Sequence, residues 1–286
     1  MLDLALSVLC SSLIFVVFKL FAVYRINTLL AIVTNYLVAC TCGWLFFPQS
    51  IHLSALSSQP WFFGTLLLGV FFIVIFTIMA KSSQINGVGV TSVATKMSLV
   101  IPVLFAVLYY KDMLSILQVL GILLALVAVY LASTKQSTKL SKRHLWLPLM
   151  VFLGSGIIDT SIKFMQEDYL RDSEYPIFSS TVFGAASLSG LLFLGTTRLK
   201  KPVEFNLKSI LGGICLGVPN YFSIFFLLRA LNSDSLNSSS VFTINNVAIV
   251  LFSTLLGIVL FKEHLSTKNW LGVGLAVISI VLVALF

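Results

Sequence analysis

The chain has 286 residues, of which 58% are hydrophobic and only 10% charged, and its mean hydropathy is +1.05. Soluble domains carry about 25% charged residues, and a core of this size has no room for so much apolar side chain. The composition excludes a cytosolic enzyme, a secreted disulfide scaffold and a nucleic-acid-binding domain, and it predicts an all-α integral membrane protein.

The net charge is +8 and the pI about 9.4. No long basic run accompanies it. The basic residues sit in short loops between apolar stretches, as topology signals do, so no nucleic-acid partner is expected. Cys10, Cys40, Cys42 and Cys215 all lie in apolar runs, with no metal-ligand spacing and no arguable bridge. Neither a metal nor a cofactor is expected.

A spanning helix needs about 20 mostly apolar residues. Ten such runs follow in chain order: about 4–22, 28–47, 61–80, 88–109, 114–132, 145–164, 177–196, 208–228, 238–260 and 269–286. The first has no basic residue before it and no small-residue cleavage site after it, so it reads as a retained span rather than a leader. The basic linker 134–144 divides the spans five and five, giving a first repeat over 1–133 and a second over 145–286.

The halves match in order. At an offset of 151, Lys262-Glu-His-Leu-Ser266 falls on Lys111-Asp-Met-Leu-Ser115, with Gly272 on Gly121 and Ala276 on Ala125. At 148, Leu216-Gly-Val218 falls on Leu68-Gly-Val70. At 144, Ser155, Ile158 and Lys163 fall on Ser11, Ile14 and Lys19. Five spans per half is odd, so the repeats would lie in the membrane with opposite orientation, as in secondary transporters that alternate access around a midplane site.

With the N-terminus outside, the inner loops hold 12 Lys and Arg and the outer loops 3. Both termini outside is therefore the expectation from charge.

Two stretches look familiar. One is Ser11-Ser-Leu-Ile-Phe-Val-Val-Phe-Lys19, a first span with a late lysine. The other runs from Val90 to Asp112, a small and polar helix with Pro102 closed by Lys-Asp, and is echoed from Ser240 to Glu263. With ten spans in two halves, the chain resembles the drug/metabolite transporter (DMT) superfamily, specifically its EamA-type ten-helix transporters. The resemblance covers nearly the whole chain, and its sharpest motif is the acidic residue after spans four and nine, Asp112 and Glu263. It implies a ten-helix fold, a central cavity, export or exchange of small metabolites, and a bacterial inner membrane. Well-known members keep both termini in the cytoplasm. The loop charges of this chain point the other way, and inversion is the reading they favour.

An ionisable side chain at the bilayer centre costs about 2.5–3.5 kcal/mol on insertion scales, so it usually faces a cavity. Lys96 lies about eight residues into the fourth span, beside Thr91, Thr95 and Ser98, and offers a cationic contact for an anionic substrate group. Asp159 in the sixth span has Lys163 four residues on, the spacing of a favourable intrahelical pair. That pair reads either as a proton-coupling site or as a static ion pair. Asn245 and Asn246, with Pro219-Asn220-Tyr221 in the eighth span, supply polar groups for a solute or, alternatively, hydrogen bonds between helices. The candidate substrate site is Lys96, Thr95, Asn220, Tyr221, Asn245 and Asn246, with Asp159 and Lys163 for protons.

His52, His144 and His264 fall in loops or at span ends, so Gly154-Ser155-Gly156 has no histidine base within a span, and no Walker loop or metal cluster appears. An enzyme is not expected. A channel or membrane scaffold is the alternative from another class. A channel, however, favours rings of like residues, and here Lys96 aligns with Val247 and Asp159 with Phe15. The leading expectation is a secondary active transporter of a small polar or anionic metabolite, amino-acid-like or carboxylated, working by alternating access. A multidrug exporter of apolar cations stands second, because Lys96 repels cations.

Overall fold

The computed structural model describes residues 1–46, 56–111, 115–133, 145–171, 174–198, 206–231 and 238–285. Asp112, His52, His144 and the linker 134–144 lie outside these. The described residues form helices and no strands: α1 (Leu2–Val23), α2 (Thr28–Phe46), α3 (Phe62–Asn86), α4 (Val88–Met97), α5 (Val100–Tyr109), α6 (Ile116–Ser133), α7 (Trp146–Asp168), α8 (Tyr175–Arg198), α9 (Leu207–Leu231), α10 (Ser238–Phe261) and α11 (Thr267–Leu285). Nine segments among them are long and apolar enough to span a bilayer, α4 and α5 together forming one, and Ile116–Ala132 is a shorter apolar helix. The chain is an all-α integral membrane protein, because only helices satisfy the backbone of such runs internally.

Burial reinforces this. Ile116, Leu45, Phe63 and Leu108 are exposed on the outside, whereas Ser12, Asn35, Ser82, Thr91 and Ser253 are wholly buried. Large apolar side chains facing outward and polar ones held inside suit hydrocarbon as solvent.

Local chemistry sets the helix ends. Ser115 and Gln118 cap α6 reciprocally: the Gln118 N–H donates to Ser115 Oγ at 3.1 Å and the Ser115 N–H to Gln118 Oε1 at 2.9 Å. Ser266 and Asn269 do the same for α11, at 3.2 and 2.9 Å. Lys111 and Lys262, after α5 and α10, both turn the chain left-handed with φ of 63° and 53°. Gly87, at φ 109°, separates α3 from α4 without a Cβ to resist that backbone.

The fourth span breaks at Ser98–Leu99. Pro102 lacks the N–H that would bond the Ser98 carbonyl, and the Ile101 N–H takes that oxygen instead at 2.9 Å in a tighter turn.

Helix contacts pair off across the two halves. Helix α1 packs on α9 as α7 packs on α3, α1 on α10 as α7 on α4 and α5, and α2 on α9 as α8 on α3. Three further contacts, α2 with α8, α4 with α10 and α6 with α11, are their own counterparts.

Candidate functional site

A cavity of about 300 Å³ opens among α1, α3, α7, α9 and α10 and the end of α4, at the break within the fourth span. Apolar side chains, including Phe15, Phe72 and Phe76, form much of its wall, and Lys96 and Asp159 supply opposite charges. Asp159 stands mid-way along α7 yet is exposed, so its carboxylate faces open space inside the bundle.

The break in the fourth span positions the polar end. Ser98 Oγ lies 2.6 Å from the Thr95 carbonyl and 3.2 Å from Asp159 Oδ2, and its single proton serves one of them at a time. Glycines in α7 allow the necessary approach: a Cβ on Gly154 would collide with the Ile75 side chain of α3, and one on Gly156 with Ile101 of α5. Lys96 makes no contact ion pair among the described residues, and Asp159 attracts it through space across the cavity. Each charge placed at this depth costs several kcal/mol alone, and the opposite charge offsets part of that cost.

The sequence-derived candidates divide into two groups. Lys96, Thr95, Asp159 and Asn246 line the cavity. Thr95 donates its hydroxyl to the Thr91 carbonyl at 2.9 Å along its own helix. Asn220 is buried and donates to Asn35 Oδ1 at 3.1 Å, joining α9 to α2. Tyr221 stacks on Phe225, with ring centroids 6.2 Å apart, and is not in the lining. Asn245 accepts from Ser7 Oγ at 3.1 Å, joining α10 to α1.

The expected Asp159–Lys163 ion pair does not form among the described residues, where the ion pairs are Lys19–Glu263 and Arg229–Asp3. The helix break brings Ser98 to Asp159 instead, and Lys163 sits a full turn nearer the helix end.

Sequence reasoning passed over Ser155 as a site residue. It lines the cavity at 6% exposure, and its Oγ has no hydrogen-bond partner among the described residues. Its flanking glycines were the only signal. No group of three His, Cys, Asp or Glu side chains converges among the described residues.

Comparison with known proteins fits this architecture. The pattern of the EamA-like transporter family matches residues 144–285, which are the last five spans. An uncharacterized protein of Haemophilus influenzae is 30% identical over 282 residues, covering 95% of this chain and 93% of its own. A crystal structure of a protein 16% identical in sequence superimposes with a TM-score of 0.56, covering 98% of this chain and 97% of the other, a likeness of fold.

Proposed function

The chain belongs to the EamA-like transporter family, and on that premise we propose that it is a secondary active transporter of a small polar or anionic metabolite, amino-acid-like or carboxylated. The observation that carries the reading is the pairing of Lys96 and Asp159 on one midplane cavity with a largely apolar wall. A solute bearing a carboxylate meets the Lys96 ammonium, and an ammonium on the same solute meets Asp159. Ser155 and Asn246 then have free polar groups with which to orient it. The apolar wall accommodates an uncharged side chain.

Two five-span repeats, 1–133 and 145–286, opposed in the membrane, would supply alternating access by moving one against the other. The paired helix contacts and the matching turns at Lys111 and Lys262 support that division. Asp159 is the candidate proton carrier, since it is an ionisable group with access to the cavity. Loop charge supports both termini outside, and the family resemblance points to a bacterial inner membrane.

Export of apolar cations is the second reading, favoured by Asp159 beside Phe15, Phe72 and Phe76. A thermal-stability screen of purified protein separates the two, with wild type beside Lys96→Ala. A ligand at 100 times its dissociation constant stabilises the fold by about 2.7 kcal/mol. Carboxylated solutes should stabilise wild type and lose their effect on Lys96→Ala. Stabilisation by apolar cations alone, unchanged in the variant, would put drug export first.

A further inference from the structure

One turn of helix away from the central cavity lies a separate polar recess of about 200 Å³, lined by Lys19, Asn86, Gly87, Glu263, His264 and Asn269 among others. On α1, Phe15 faces the cavity and Lys19 the recess; four residues of helix rise about 6 Å. On α4, Thr95 faces the cavity and Val90 the recess. The layer between them is filled by Phe18, Ala80, Ser83 and Val93, none with exposed surface.

A polar lock holds this layer shut. The Glu263 carboxylate accepts from the Val88 N–H at 3.0 Å on Oε1 and 3.1 Å on Oε2, at the first residue of α4, where unpaired N–H groups favour an anion. It also pairs with Lys19 at 3.4 Å. Lys19 Nζ donates to the Gln84 carbonyl at 3.1 Å, and Gln84 Nε2 donates to the Phe18 carbonyl at 3.1 Å and to Thr28 Oγ1 at 3.2 Å. Two glycines cradle the carboxylate: a Cβ on Gly87 would come within 2.7 Å of Oε2, and one on Gly257 within 2.6 Å. The lock therefore ties α1, α3, α4 and the end of α10. Lys163, which aligns with Lys19 at an offset of 144, has no ion pair among the described residues.

We infer that the recess is the second mouth of the translocation path and that the Lys19–Glu263 pair, seated on the Val88 N–H, is the gate between it and the substrate cavity. The inference rests on the reading of the chain as an alternating-access transporter. A transporter must open its site to each face in turn. Here the recess and the cavity are separated by a single turn of helix, and the lock joins elements from both halves of the chain. Opening this mouth requires Glu263 to leave its two partners together, so the gate switches as a unit. An ion pair plus a charge-assisted helix cap is strong enough to hold one state and weak enough to exchange.

The test follows access to the cavity from each side, without any substrate. Cys10, Cys40, Cys42 and Cys215 are replaced by Ser, and Ser155→Cys supplies a thiol in the cavity. Right-side-out and inverted vesicles are then treated with a membrane-impermeant maleimide. Glu263→Gln should raise labelling from the recess face about tenfold, the shift produced by losing one charge-assisted hydrogen bond of ordinary strength. Lys19→Gln, which leaves the Val88 cap in place, should raise it by a smaller factor. Unchanged labelling from the recess face in both variants, with each monodisperse and folded, overturns the gate. If Glu263→Gln does not fold, Lys19→Gln decides alone. Because no ligand is needed, the gate can stand where the substrate assignment fails, and the reverse.

Discussion

Gly272 of α11 lies so close to α6 that a Cβ on it would come within 2.9 Å of the Ala128 carbonyl oxygen. The same contact occurs with the partners exchanged: a Cβ on Gly121 would stand 3.2 Å from the Ser279 carbonyl, and Ser279 Oγ donates to the Gly121 carbonyl at 2.7 Å. Gly121 and Gly272 are 151 residues apart, and so are Ala128 and Ser279. The pair α6–α11 is thus built twice from one set of positions, with backbones close enough for carbonyls to meet side chains directly.

That closeness sets up a matched comparison within one helix. Gly272→Ala has to displace the α6 backbone at Ala128 and Ala132, and overpacking of this kind costs about 1–3 kcal/mol. Gly274→Ala meets nothing within 4 Å and removes a poor helix former, a gain of up to about 1 kcal/mol. Thermal unfolding in detergent should show the first variant melting earlier than wild type and the second no earlier. Equal melting temperatures for the two would mean that α6 and α11 do not pack as described.

The charges in the cavity should behave as a pair. Removing Lys96 alone leaves Asp159 with its charge uncompensated at mid-membrane, and Asp159→Leu alone leaves Lys96 so. Leaving one such charge alone at this depth is more costly than replacing both by apolar groups. Lys96→Met and Asp159→Leu should each lower the melting temperature, and the double variant should recover part of the loss while abolishing ligand stabilisation. Additive losses in the double variant would show that the two charges are energetically independent.

The ten apolar runs are visible in the sequence because bilayer thickness sets their length, and Lys96 and Asp159 stand out because charge is rare within such runs. Asn245 and Asn246 show the limit. Adjacent residues on a helix point about 100° apart, and nothing in their identity says which faces Ser7 and which the cavity. The Asp159–Lys163 spacing was a sound local argument, yet the turn forced by Pro102 on another span delivered Ser98 to the carboxylate. Ser155 was obscure for a similar reason, since a serine in a spanning helix ordinarily bonds to a carbonyl one turn back.

The Asn35–Asn220 bond tests the division of polar residues between the cavity and the scaffold. Double-mutant cycles of interhelical hydrogen bonds in a membrane protein average about 0.6 kcal/mol and reach about 1.7 kcal/mol. Asn35→Ala and Asn220→Ala should couple within that range in unfolding experiments, and Asn220→Ala should keep its ligand response. Loss of the response without loss of stability would return Asn220 to the binding site.

Topology is open to a test independent of any ligand. The inner loops of the favoured orientation hold 12 Lys and Arg against 3 outside, a bias contributed by several separate loops. A reporter active only in the cytoplasm, fused after Phe286, should therefore be silent, and one active only outside should report. Moving the bias should move the result. Replacing Arg198, Lys200 and Lys201 together by Gln removes three of the 12 inner charges, and basic residues added to the outer loop after Tyr169 act in the same direction. The combined variant should show mixed orientation, with both reporters partly active. If the cytoplasmic reporter is fully active on the unmodified chain, the inverted arrangement is wrong. The recess at Lys19 and Glu263 would then face the outside, with the gate itself unaltered.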